Sequence, residues 1–119
     1  MARDETRLEQ RIRRHHERGE LKEAATAAIE GFGPEILGFL KAVVRDEQLA
    51  GEVFAHFCED VWTGLSGFRW ESSFRTWGYT LARAAWLRQR RAWGARLLRW
   101  IMMIVKPIRM ASPAWKGTR

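Results

Sequence analysis

The stretch "FRWESSFRTWGYTLARAAW", residues 68–86, decides how the rest of the chain is read. It holds three tryptophans (Trp70, Trp77, Trp86), with Phe68, Phe74, Tyr79 and Leu81, three arginines and a single acid, Glu71. From Ser73 onward it fits an α-helix. Turned at about 100° per residue, Phe74, Trp77, Leu81, Ala84 and Ala85 share one side, the expected core face. Roughly opposite lie Arg75, Tyr79, Arg83, Trp86, Arg90 and Trp93, a stripe of alternating arginine and aromatic side chains. Such a stripe suits nucleic acid, because guanidinium groups neutralise phosphates and aromatic faces stack on exposed bases. The same geometry also admits a plainer reading, in which Trp86 and Trp93 pack on the N-terminal helix and the arginines around them are solvated.

Working outward, helical periodicity runs through the whole chain and no alternating strand is convincing. A charged helix over about residues 4–18 stops at Gly19, and a second over about 20–31 turns Ala24, Ala25, Ala28 and Ile29 inward. The run GFGP at 31–34 is expected to break it, with Pro34 in the first turn of the next helix. Ile36, Leu37, Phe39, Leu40, Val43 and Val44 form an apolar band ending near Arg45, and Leu49, Val53, Phe57 and Val61 space a further helix over about 47–63. Gly64, Ser66 and Gly67 mark a loop, after which Ser72 is the expected cap of a long final helix reaching Arg91 or beyond. The fold class is all-α, a compact bundle of about four to five helices. Residues 1–19 read as a charged N-terminal helix, 20–92 as the helical domain and 93–119 as a basic apolar tail.

The 119 residues suffice for one modest core, and their 46% apolar content excludes a disordered chain. One cysteine, Cys58, excludes a disulfide framework and fits a reducing cytoplasm. The charged start is no signal peptide, and the apolar run at 97–105 is interrupted by Arg99 and is too short to span a bilayer. The net charge of +7 conceals a division. Residues 1–62 hold nine Lys/Arg against thirteen Asp/Glu, whereas residues 63–119 hold twelve Lys/Arg and only Glu71. The basic half attracts a polyanion, and the acidic half argues for a second, different partner.

The quoted stretch resembles F-R-G-E-S-S-F-R-T-W-L-Y-R-I-A-R-N, a sequence of region 2 of the extracytoplasmic-function (ECF) sigma factors. Upstream, "GFGPEILGFLKAVVRDEQLAGEVFAHFCEDVW" (31–62) resembles the same family's Y-G-P-x-L-Y-x-F run and its D-A-E-D-V-x-Q-E-T-F-x-x-V-W segment. Together the two cover about residues 20–92. The resemblance implies a bacterial, cytoplasmic transcription-initiation module with two surfaces. One, on the helix at about 47–62, would dock on the clamp coiled coil of the RNA polymerase beta prime subunit. The other would recognise and open the promoter −10 element by holding non-template-strand bases. The DNA surface then comprises the loop Phe68, Arg69, Trp70, Glu71, Ser72 and Ser73. On the helix it continues through Arg75, Tyr79, Thr80, Arg83, Trp86, Arg90 and Arg91. Phe74 and Trp77, though inside the motif, are assigned to the core. The polymerase surface comprises Asp46, Glu47, Glu52, Phe54, Ala55, His56, Glu59 and Asp60.

Departures from the family pattern bear on specificity. The glycine after F-R is Trp70 here, and the Arg and Asn of the later motif are Thr80 and Ala84. Ala55 and His56 replace the Gln and Glu of the polymerase segment. ECF sigma factors carry a second, −35-reading domain, and the tail here has no helix-turn-helix pattern. The expectation is a single domain, whether natural, a truncated product with an unrelated tail or a fragment, with weak and salt-dependent promoter binding. Two other function classes are retained. One is a non-initiating decoy that occupies the polymerase clamp or an anti-sigma factor. The other is a membrane-surface module built on Trp93, Trp100, Ile101 and Ile104, which ranks last. No cofactor, metal site or enzymatic activity is expected. Adjacent His15 and His16 diverge around a helix and read as solvated surface residues, and His56 and Cys58 point to different sides.

Overall fold

The computed structural model describes the backbone of residues 2–110 and the side chains of residues 7–104. Four helices follow one another: α1 (Ala2–Glu17), α2 (Leu21–Val44), α3 (Glu47–Gly64) and α4 (Phe74–Met110), with a 3-10 turn at Leu65–Gly67 between the last two. No strand occurs among the described residues. The chain separates into two compact units, Met1–Leu87 and Arg88–Arg119.

Local chemistry sets the corners of the first unit. Gly19 takes a left-handed backbone (φ 72°) after α1. Its N–H bonds the His16 carbonyl while the Glu20 N–H reaches His15, the paired pattern of a Schellman C-cap. Arg45 closes α2 in the same left-handed region, and Asp46 opens α3 by accepting the Leu49 N–H at 2.9 Å.

α2 runs unbroken through the expected break at residues 31–34, with Pro34 inside it. Proline removes one backbone donor and crowds the preceding turn, but Phe32, Gly33, Ile36 and Leu40 are all buried around it. That packing holds the helix together. The neighbouring glycines serve close approach rather than a turn. A β-carbon on Gly31 would collide with the Leu8 methyl groups of α1, and one on Gly33 would press the Phe54 ring of α3 at 3.3 Å.

The core joins all four helices: Ile12 from α1, Phe32, Ile36 and Leu40 from α2, Val53, Phe57 and Val61 from α3, and Phe74, Ala82 and Ala85 from α4. Phe74 is fully buried and Trp77 is partly buried against the core, as expected. The centre of the buried α4 face, however, is Phe74, Gly78, Ala82 and Ala85, while Leu81 and Ala84 lie at its edge. A β-carbon on Gly78 would stand 3.2 Å from Ile36, so small side chains mark the line of closest approach to α2. A search for large apolar residues passes over such a line.

Candidate nucleic-acid interface

The loop between the 3-10 turn and α4 is held from within. Phe68 is only 8% exposed, its ring stacked on Trp77 at 4.5 Å between centroids and set edge-on to Phe74. Phe68 was expected among the DNA contacts. It turns inward instead and anchors the loop, because its ring completes the aromatic cluster over the end of the core.

Trp70 has a left-handed backbone, φ 59°, a conformation that ordinary side chains adopt at a cost of about 1–2 kcal/mol. Its ring compensates by folding onto α1. The indole Nε1–H donates to His16 Nδ1 at 3.1 Å, the Arg13 guanidinium lies over the ring at 5.3 Å, and the tilted Phe68 ring packs against it at 4.7 Å between centroids. His16 in turn donates from Nε2 to the Leu65 carbonyl at 2.7 Å, which fixes it as the neutral Nε2–H tautomer in this geometry. His15 meets Glu20 at 2.7 Å. The two histidines are therefore half-buried and partnered rather than solvated, because α1 is packed on the domain.

The start of α4 is capped twice. Ser73, not Ser72, is the N-cap: its hydroxyl accepts the Thr76 N–H at 3.1 Å, while Ser72 donates to the Ser73 carbonyl. From α1, the Glu9 carboxylate accepts the Phe74 N–H at 2.7 Å and the Arg75 N–H at 2.9 Å. A carboxylate at a helix N-terminus satisfies otherwise orphaned donors and matches the helix dipole. No local pattern in the sequence joins Glu9 to Phe74, sixty-five positions apart.

With Phe68 and Trp70 turned inward, Arg69, Glu71, Ser72 and Ser73 are the exposed members of the loop. Two clefts flank them. One, of about 420 Å³, is walled by Glu9, Gln10 and Arg13 of α1 opposite Trp70, Ser72 and Ser73. The second, of about 260 Å³, lies between Phe68, Arg69 and Trp77.

The arginine–aromatic stripe divides. Arg75 binds Glu35 of α2 through Nε (2.8 Å) and Nη2 (2.6 Å), and the Tyr79 hydroxyl donates to the same carboxylate oxygen at 2.6 Å. The Tyr79 hydroxyl, and Arg75 beside it, hold the Glu35 carboxyl below the usual carboxylate range. Burial and the bond to Glu35 raise the Tyr79 phenol. The Tyr79 ring also meets Phe39 edge-on at 5.1 Å. Trp86 is partly buried against the core. Arg83 and Thr80 are exposed, the latter with its hydroxyl on the Thr76 carbonyl. Arg90, Arg91 and Trp93 belong to the second unit and are exposed there.

On α3, Glu52, Ala55, His56 and Glu59 fall on one exposed face, with His56 3.6 Å from Glu59. Glu47 is exposed in the first turn, Asp46 is the N-cap, and Phe54 and Asp60 are half-buried. Trp62 closes this face at 55% exposure and was not singled out from the sequence. Its signal was its register: it follows Glu59 by three positions and falls outside the Leu49, Val53, Phe57, Val61 series.

The helical unit thus joins an acidic, tryptophan-tipped face on α3 to a loop braced against α1. Sigma-70 region 2 matches residues 28–105, more than half of the chain. The chain belongs to this family. No curated protein and no solved structure matches it. As a sigma-70 region 2 domain it carries the sigma factor role in RNA polymerase binding and promoter −10 recognition, in a family of non-enzymatic transcription factor domains. No helix among the described residues is long and apolar enough to cross a membrane.

Proposed function

We propose that this sigma-70 region 2 domain is of the ECF type and opens the −10 element in the bacterial cytoplasm by capturing an unpaired non-template base beside the Arg69–Ser73 loop. The observation that carries this reading is the bracing of the loop. Phe68 is stacked, Trp70 is tied to His16, and the first turn of α4 is capped by Ser73 and Glu9. A loop already in its binding conformation loses little entropy on contact with DNA. Strand opening needs only binding energy that favours unpaired over paired DNA, and a captured base repays an unstacking cost of a few kcal/mol. The cleft against α1 is the receiving site. Its Glu9 and Glu71 carboxylates and serine hydroxyls are acceptors suited to an exocyclic amino group. A base carrying such a group is therefore favoured over thymine. Arg69 and Arg83 meet phosphates, and the exposed α3 face docks on the beta prime clamp coiled coil.

The test is binding of the chain with core polymerase to forked −10 DNA against the matching duplex. Wild type is expected to prefer the fork, and Arg69→Ala with Ser72→Ala to lose that preference while polymerase binding persists. Equal binding of wild type to fork and duplex would sink the capture mechanism. Polymerase binding without any opening would instead support the decoy reading.

A further inference from the structure

The second unit presents a helix whose apolar side chains are open to solvent. Trp93 is 52% exposed, Trp100 59% and Ile104 45%, with Leu97 and Ile101 also exposed. On a helix Trp93, Leu97, Trp100, Ile101 and Ile104 fall within an arc of about 100°. Arg88, Arg91 and Arg99 lie around the opposite side with Leu98 and Met102, Arg96 and Met103 flank the apolar arc, and Arg90 falls within it one turn before Trp93. From residue 88 to the end the sequence holds nine Lys/Arg and no Asp or Glu.

We propose that residues 88–104 form an interfacial helix that lies in the headgroup layer of an anionic bilayer, with the Trp93–Ile104 face in the acyl boundary. Three observations select this occupant. A wholly basic segment seeks an anionic surface, and arginines near such a surface are attracted by its potential. DNA would meet the charge but leaves the aliphatic Leu97, Ile101 and Ile104 without a partner, and the tryptophans beside them are the residue type that settles at the membrane interface. A second copy would cover the apolar face but would bring arginine against arginine, with no acid in the segment to relieve them. The helix is not apolar enough to span the membrane, so it lies in the plane of the interface. Arg90 and Arg91 of this segment were expected among the DNA contacts, but the Trp93–Ile104 face itself holds no residue assigned to base capture or polymerase docking, so the proposal does not rest on the −10 reading.

Co-sedimentation of the full chain with vesicles tests the proposal. The chain is expected to pellet with vesicles of phosphatidylglycerol and phosphatidylcholine, and to stay in the supernatant with phosphatidylcholine alone. Leu97→Glu with Ile101→Glu should return it to the supernatant, with unchanged helical circular dichroism and unchanged binding to forked DNA. Arg96→Gln with Arg99→Gln, which keeps the apolar face, should weaken vesicle binding by about an order of magnitude. The proposal is overturned if wild type ignores anionic vesicles, or if the Leu97→Glu, Ile101→Glu variant binds them undiminished. It is equally overturned if that variant loses only self-association in sedimentation velocity, or only DNA affinity.

Discussion

Trp70 stands where the resembling ECF pattern has glycine, and its backbone lies in the left-handed region that glycine favours, φ 59°. The departure was visible in the sequence. That the ring would turn onto α1 was not, since His16 and Arg13 lie more than fifty positions away. Two substitutions separate backbone strain from ring contacts. Both Trp70→Ala and Trp70→Gly lose the indole, but only glycine relieves the left-handed backbone, so the glycine variant is expected to be more stable by about 1 kcal/mol. Urea unfolding measures the difference, and equal midpoints would contradict the strain. Glu35 offers a second residue-scale case. Its carboxyl is held below the usual range, so its bonds to Tyr79 and Arg75 stabilise the fold at neutral pH. That contribution is lost as pH falls through the lowered value, because the folded state then takes up the proton it had resisted. Both partners are more than a third exposed, so the effect is at most about 1 kcal/mol. Glu35→Gln should lower stability at pH 7 and flatten its acid-side fall; a parallel shift at every pH would show the pair to be incidental.

At the scale of elements, helix existence and type followed from periodicity and caps, and the corner at Gly19 and the Asp46 cap fall at the expected ends of helices. The exception was α2. Glycine and proline in "GFGP" carry strong local breaking tendencies, and nothing local announces that α1 and α3 press against that very segment. Gly31 is the sharpest instance. Alanine there gains about 1 kcal/mol of intrinsic helix propensity. Its methyl would strike Leu8, however, and overpacking costs about 1–3 kcal/mol. Gly31→Ala is therefore expected to be neutral to destabilising in the native chain and stabilising in a Leu8→Ala background. A double-mutant cycle read by thermal unfolding checks this change of sign, and additivity would refute the contact.

For the molecule as a whole, the charge division in the sequence foretold two partners, and membership of the sigma-70 region 2 family gives them as polymerase and promoter DNA. Within the first unit the exposed α3 face and the braced loop draw on different residues. Trp62 is an exposed aromatic on the rim of an otherwise polar face, the kind of anchor that dominates a protein interface. Trp62→Ala should weaken binding to core polymerase about tenfold or more and leave affinity of the isolated chain for forked DNA unchanged. Loss of both would show that one surface serves both partners. The sequence by itself determined the all-helical class and the family, and pointed to the loop proposed to meet DNA, because periodicity, capping and the E-S-S-F-R-T-W run are local features. Only the tertiary structure decided which side chains of that loop face out. Phe68 and Trp70 are drawn inward by aromatic and hydrogen-bond partners on other helices, Glu9 arrives from α1 to cap α4, and Arg75 and Tyr79 are claimed by Glu35. Such pairings join residues distant in sequence, and their energies exist only once the helices have packed.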